Sequence, residues 1–98
     1  MSEFEKFRII DILHSGLKGE RGSPVTQSKY EGMLGAIVWI DKTCVYLDRP
    51  AHIIFENHPT YEWWDTSNVI AISETENFFG IETLNSIYVL LKININAN

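Results

Sequence analysis

Apolar and polar positions alternate in short runs along this chain, and clusters of turn-forming residues separate the runs. Residues 4–13 mix β-branched and aromatic side chains with charges, Phe7, Ile9 and Asp11 alternating with Arg8, Ile10 and Ile12. That period suits a strand better than a helix, with a short helix as the open alternative. Residues 33–40 predict a second strand ending at Asp41-Lys42, and residues 43–47 a third, joined to it as a tight hairpin. Residues 51–55 follow as a short edge-like strand, because Pro50 has no N–H to donate to a ladder. After a turn at Asn57-His58-Pro59, strands are expected at 68–73, 78–83 and 86–93, with Glu74-Thr75-Glu76-Asn77 and Leu84-Asn85 as turns. The series predicts an all-β fold, a small antiparallel barrel or sandwich of about five to seven strands, without a helix longer than about two turns.

This pattern places Trp39, Ile37, Tyr46, Val69, Ile81, Tyr88 and Leu90 in the core. A buried Trp39 would cost about 3–5 kcal/mol on truncation to Ala. Residues 1–93 form a single domain in this reading, and residues 94–98 a polar tail that frays.

Two segments break the strand series. Residues 14–30 hold Gly16, Gly19, Gly22 and Pro24 without periodicity, which predicts a long polar loop. Long ordered loops in small domains are often functional. The other segment, His58-Pro59-Thr60-Tyr61-Glu62-Trp63-Trp64-Asp65, packs three large aromatics and two carboxylates into eight residues. Trp63 and Trp64 are adjacent, so in a strand they point to opposite faces, with Tyr61 on the side of Trp63 and Glu62 on the side of Trp64. One ring can enter the core; the other needs a second cover or stays exposed. Which ring does which is left open. Exposed Trp or Tyr beside charge is the material of interface hot spots.

The element order also carries a resemblance. A strand, a long polar loop, a three-strand meander, a tight turn and a last strand after a short polar turn resemble the SH3-like barrel layout. Trp64-Asp65-Thr66-Ser67-Asn68-Val69 and Ile81-Glu82-Thr83-Leu84-Asn85-Ser86-Ile87-Tyr88 resemble a pattern found in small uncharacterised bacterial and phage proteins. There a Thr-Ser pair precedes a Val strand, and Thr-x-Asn-Ser-x-Tyr opens the last strand. The resemblance covers about the last third of the chain and implies a fold more than an activity. In an SH3-like layout, loops 15–30 and 57–65 lie on one side of the barrel and frame an aromatic groove.

Composition narrows the function classes. Hydrophobic residues make up 45% and charged residues 21%, which is a folded domain and not a disordered segment. The net charge is −5, and it is uneven: residues 1–49 hold seven acidic and seven basic groups, whereas residues 50–98 hold six carboxylates against Lys92. That distribution argues against nucleic-acid binding, which draws on clustered Lys and Arg. No apolar run approaches the length of a membrane span. Cys44 is the only cysteine, so no intrachain disulfide forms, and its strand-like flanks predict a small buried thiol. With no signal-peptide pattern at the N-terminus, a cytoplasmic location is expected.

Candidate chemistry is sparse. His52, Glu56 and His58 come nearest to a metal set, but a turn separates His58 from the other two, and zinc needs three or four convergent ligands. Glu62 and Asp65 are the available acid–base pair, and both are expected in a solvated loop. Gly16-x-x-Gly19-x-x-Gly22 lacks the Lys and hydroxyl of a phosphate loop, and no Gly-x-Ser-x-Gly elbow occurs. Thr66-Ser67 and Thr83-Leu84-Asn85-Ser86 suit turns, Asn85 tolerating left-handed backbone. No cofactor is implied. The reading is a non-catalytic binding module that recognises a protein partner, or a second copy of itself, through Tyr61, Glu62, Trp63, Trp64 and Asp65 with Tyr30 and Arg21 from the long loop. Loss of Trp64 is expected to weaken binding without unfolding the chain. The alternatives are a small-molecule or nucleotide binder, such as a phage accessory factor, and an enzyme of undefined type.

Overall fold

Alternation along the first strand sets up the architecture. Phe7 and Ile9 are fully buried while Arg8 points out, and the next buried residue, Ile12, comes one position late. A register shift between Ile9 and Asp11 absorbs the extra residue, so all three side chains face inward. The computed structural model describes residues 3–93. Within them the strands are β1 (Phe4–His14), β2 (Ile37–Asp41), β3 (Pro50–Phe55), β4 (Trp63–Glu74), β5 (Phe78–Thr83) and β6 (Ser86–Lys92). Each pairs antiparallel with its sequence neighbours, and β6 returns to β1, closing the sheet into a small all-β barrel. Closure depends on β1, whose first half pairs with β2 while its length from Phe7 to His14 pairs with β6. The one α-helix among the described residues, α1 (Ser28–Glu31), spans four residues inside the long loop.

The core consists of the inward residues of all six strands, among them Phe7, Val38, Ile53, Val69, Ile81, Tyr88 and Leu90, with Met33 and Val45 entering from loops. Val69, Ile81, Tyr88 and Leu90 therefore sit where the alternation put them. Trp39 and Ile37 do not: both are half-buried, because their neighbours Val38 and Ile40 take the inward positions. The Trp39 indole N–H instead donates to Glu56 Oε1 at 3.0 Å, and the Lys6 ammonium lies 5.3 Å from its ring. Tyr46 is exposed as well.

The Tyr46 placement follows from a larger correction. Residues 43–47 form no strand. The Asp41 carboxylate accepts the backbone N–H of Thr43 at 3.0 Å and its hydroxyl too, capping a short 3-10 turn over Lys42–Cys44. Local bonds of this kind compete with a ladder, and here they divert the chain around the barrel end. Those bonds also hold the Asp41 carboxyl below its usual range, with burial working the other way. Cys44 is accordingly exposed in a turn instead of buried in a strand. β2 starts at Ile37, not residue 33, and its partners are β1 and β3.

β3 is not an edge either, since β2 and β4 flank it. Its pairing with β4 slips between Pro50 and His52, and the Ala51 N–H at the slip donates to the buried Thr66 hydroxyl at 2.9 Å. Thr66 and Ser67 thus belong to mid-strand, where the hydroxyl replaces a missing ladder acceptor. The β5–β6 turn matches its sequence logic: Thr83 Oγ1 accepts the Ser86 N–H at 3.1 Å and donates to the Ser86 carbonyl at 3.0 Å. The left-handed Asn among the described residues is Asn57, at φ 53°, and not Asn85. The tail predicted at 94–98 lies outside the described residues.

Truncation should separate core from surface. Leu90→Ala is expected to lose about 2–5 kcal/mol of stability. Tyr46→Ala should stay within about 0.5 kcal/mol of the parent. Urea unfolding of the two variants checks this, and equal losses would show the inward set to be wrong.

Candidate functional site

Strand alternation divides the two adjacent indoles. Trp64 lies opposite the buried Ile53, and Trp63 opposite the half-buried Ile54. Trp64 therefore turns inward at the barrel end where β4 begins, and Trp63 stays outside with 56% of its surface exposed. The exposed ring is Trp63, which corrects the expectation that Trp64 could be removed without structural consequence. The Trp64 indole N–H donates to the Tyr88 hydroxyl at 3.2 Å. Burial pushes the Tyr88 phenol well above its ordinary range, so this hydroxyl stays protonated.

Two tyrosines stand edge-on to Trp64. Tyr30, from α1, has its ring centroid 6.1 Å away at 76°, and Tyr61 lies at 5.8 Å and 78°. Perpendicular pairing sets the positive edge of one ring against the negative face of another. The Lys29 ammonium sits 5.0 Å from the Tyr30 centroid and 5.6 Å from that of Trp64. Among the described residues no carboxylate lies within ion-pair distance of Lys29. Lys29 is exposed, so its ammonium meets solvent on one side and the two aromatic faces on the other.

His58 holds this arrangement together. Its Nδ1 accepts the backbone N–H groups of Thr60 and Tyr61, both at 3.0 Å, and its Nε2 lies 2.8 Å from the Gly32 carbonyl. Nδ1 can accept only without a proton, so the network assigns the hydrogen to Nε2, which donates to Gly32. The ring thereby ties the turn after β3 to the segment after α1. It also packs at 5.2 Å from both Phe55 and Tyr61. The two loops meet through Tyr30, Tyr61 and Trp64, the tyrosines edge-on to Trp64 and all three packed against the core.

The other expected residues lie elsewhere. Trp63 shares the outer wall with His52, whose ring is 5.8 Å away and whose Nδ1 lies 2.7 Å from Asp65 Oδ1. Glu62 is exposed, and its backbone carbonyl accepts the Phe55 N–H. Arg21 leaves the groove altogether. Its guanidinium forks onto both Glu82 oxygens, with Nη2 at 2.8 Å from Oε1, and Nη1 also donates to the Ser15 carbonyl at 3.1 Å. This is a pin between the long loop and β5, and it holds the Glu82 carboxyl below its usual range. His52, Glu56 and His58 face Asp65, Trp39 and Gly32 respectively, so they form no common ligand set.

Sequence reasoning missed Lys29, His58 and Tyr88 as members of the site. Lys29 adjoins Tyr30 in sequence, which was a usable signal. The Tyr88 contact was not visible, because it depends on β4 and β6 curving together around β5 in the closed sheet.

Acid should loosen the pinned loop. The depressed folded value of Glu82 contributes stability that is present above the ordinary glutamate value of 4.5 and is lost as pH falls through the folded value. Glu74, held down by Lys42 and Lys92, acts in the same direction. Melting temperature should therefore be steady at neutral pH and fall below the ordinary carboxylate range. Arg21→Ala should flatten part of that fall and raise amide exchange in residues 15–24. An unchanged acid limb in that variant would contradict the pin.

No helix among the described residues is long and apolar enough to cross a membrane. No family model matches this chain, and no curated protein and no solved structure is significantly similar to it, so its chemistry has to be read from its own residues.

Proposed function

We propose that this chain is a non-catalytic binding module whose Tyr30–Tyr61–Trp64 groove takes a Lys or Arg side chain of a protein partner. The observation that carries this reading is the Lys29 ammonium resting on Tyr30 and Trp64 without a carboxylate partner among the described residues. An ammonium against an aromatic face gains about 0.5–1 kcal/mol when exposed and about 2 kcal/mol or more when desolvated. Lys29 therefore marks a place where cations are favourable, and it does so on a flexible stem that can swing away. The groove walls are less free. Trp64 is anchored to Tyr88 and Tyr61 is set by His58, so little ordering remains to oppose binding.

Charge supports the same partner chemistry. Residues 50–98 carry the net negative charge of the chain, and Glu62 adjoins Tyr61. Such a field favours the approach of a cationic segment and raises its association rate more than its affinity. The resident cation, Lys29, would be displaced by the incoming side chain. Affinity is then the difference between two similar contacts, which suits a weak, exchangeable interaction.

Two substitutions should shift that difference in opposite directions. Short peptides with one Lys or Arg in neutral flanks, and norleucine controls, are titrated into isotope-labelled protein while amide and indole resonances are followed. Cationic peptides should move the signals of Tyr30, Tyr61 and Trp64, and the norleucine peptides should not. Lys29→Met should tighten binding by removing the resident ammonium, and Tyr30→Leu should weaken it at least several-fold. Tighter binding in Tyr30→Leu, or equal response to norleucine, would sink the proposal.

A further inference from the structure

We infer that the free edge of β4 pairs antiparallel with the same edge of a second copy of this chain. β4 is long, twelve residues, and changes partner along its length. Its first half pairs with β3 as far as Asn68, and its second half pairs with β5 from Val69 to Glu74. At Val69 the edge away from β5 is still occupied: the Asp48 N–H donates to its carbonyl and its own N–H donates to the Arg49 carbonyl. Beyond Val69 no described strand follows on that side.

Hydrogen-bond parity identifies the unpaired groups. The Thr75 N–H donates to the Phe78 carbonyl, which makes Thr75 and Phe78 a bonded pair of the hairpin. Bonded and non-bonded pairs alternate, so Ser73–Gly80 and Ala71–Glu82 are bonded, and Ile72 and Glu74 direct their N–H and C=O away from β5. None of those four groups has a backbone partner outside the β4–β5 ladder among the described residues. All five residues from Ile70 to Glu74 are exposed, including Ile70 at 44% and Ile72 at 41%. Between Ala71 and Glu74 the edge carries neither proline, lysine nor register break, the devices that ordinarily blunt an edge.

Charge and symmetry select the occupant. The run from Ile70 to Ser73 is uncharged, and the Glu74 carboxylate is already met by Lys42 at 2.5 Å and Lys92 at 2.6 Å. Along Ile70–Glu74 a basic partner finds no free carboxylate, and a second copy meets no uncompensated like charge. With Ile72 and Glu74 as the bonding residues on each strand, the two-fold axis falls at Ser73 and Ile72 of each copy opposes Glu74 of the other. Glu74 never opposes itself. The same register brings the turn that carries Glu76 in the second copy to the end of the edge at Val69, whose bonded neighbour is Arg49. Arg49 lies 5.7 Å from the Tyr46 ring and borders an open cavity of about 350 Å³ with Tyr46 and Leu47. Opposite charges meet at both ends of the pairing.

Sedimentation velocity and amide exchange over a concentration series test this. The expected result is a dimer that grows with concentration, with the Ile72 and Glu74 amides gaining protection in step. Ala71→Lys, which places a cation on the edge, should weaken association at least about tenfold, or about 1.4 kcal/mol, with little change in melting temperature. Arg49→Glu and Glu76→Arg should each weaken it, and the double variant should restore it. A single monomeric species at every concentration, protection that does not depend on concentration, or a dimer untouched by Ala71→Lys would overturn the inference. Failure of the double variant to restore the dimer would overturn the register.

Discussion

The hydrogen bond from the Trp64 indole to the buried Tyr88 hydroxyl is the contact on which the organised end of the barrel rests. Strand geometry makes it necessary. Adjacent tryptophans at the start of β4 cannot share a face, and the inward one brings a polar N–H into a region lined by apolar rings. Tyr88 supplies the acceptor from β6, separated from β4 by β5 in the ring of strands, and so locks the indole in one orientation. Tyr30 and Tyr61 then pack edge-on to a fixed plane, and Lys29 finds its faces. Without that anchor the indole could rotate, and Tyr30 and Tyr61 would lose the fixed plane they pack against.

The long loop between β1 and β2 is ordered by polar contacts distributed along it. His14 exchanges backbone bonds with Gly22 and Ser23, the Ser15 hydroxyl donates to the Leu84 carbonyl, and Arg21 clamps Glu82. Val25 and Met33 add apolar anchors. A Cβ at Gly19 would fall 2.7 Å from the His14 ring, so a larger residue there would force that side chain to move. The loop thus has a firm base near β5 and a tip at α1 that is held by Trp64 and by His58.

Much of the scaffold was legible in the sequence. The strands at 4–13, 78–83 and 86–93 alternate clearly, and the Thr83 and Ser86 hydroxyls announced their turn. Legibility failed where local polar bonds overrode the period. At Asp41-Lys42-Thr43 an alternating run is capped into a 3-10 turn, and at Thr66 a hydroxyl substitutes for a ladder acceptor. Trp39 failed for another reason: both faces of β2 carry apolar residues, so alternation alone could not say which faced in. The groove was half legible. Tyr30, Tyr61 and Trp64 were nameable as aromatic loop residues, whereas Arg21 belonged to a pin and Trp63 to the outer wall. His58 and Tyr88 enter through contacts between distant segments that the fold creates, whereas Lys29 was signalled by its neighbour Tyr30.

The ε-methylene proton resonances of Lys29 test the central claim most directly. An ammonium held against Tyr30 and Trp64 places those protons in the shielding region of both rings. They should therefore resonate well upfield of an unstructured lysine, and return toward that position as a cationic peptide saturates the groove. Random-coil shifts in the free protein, or an upfield shift that saturating peptide leaves unchanged, would contradict the account.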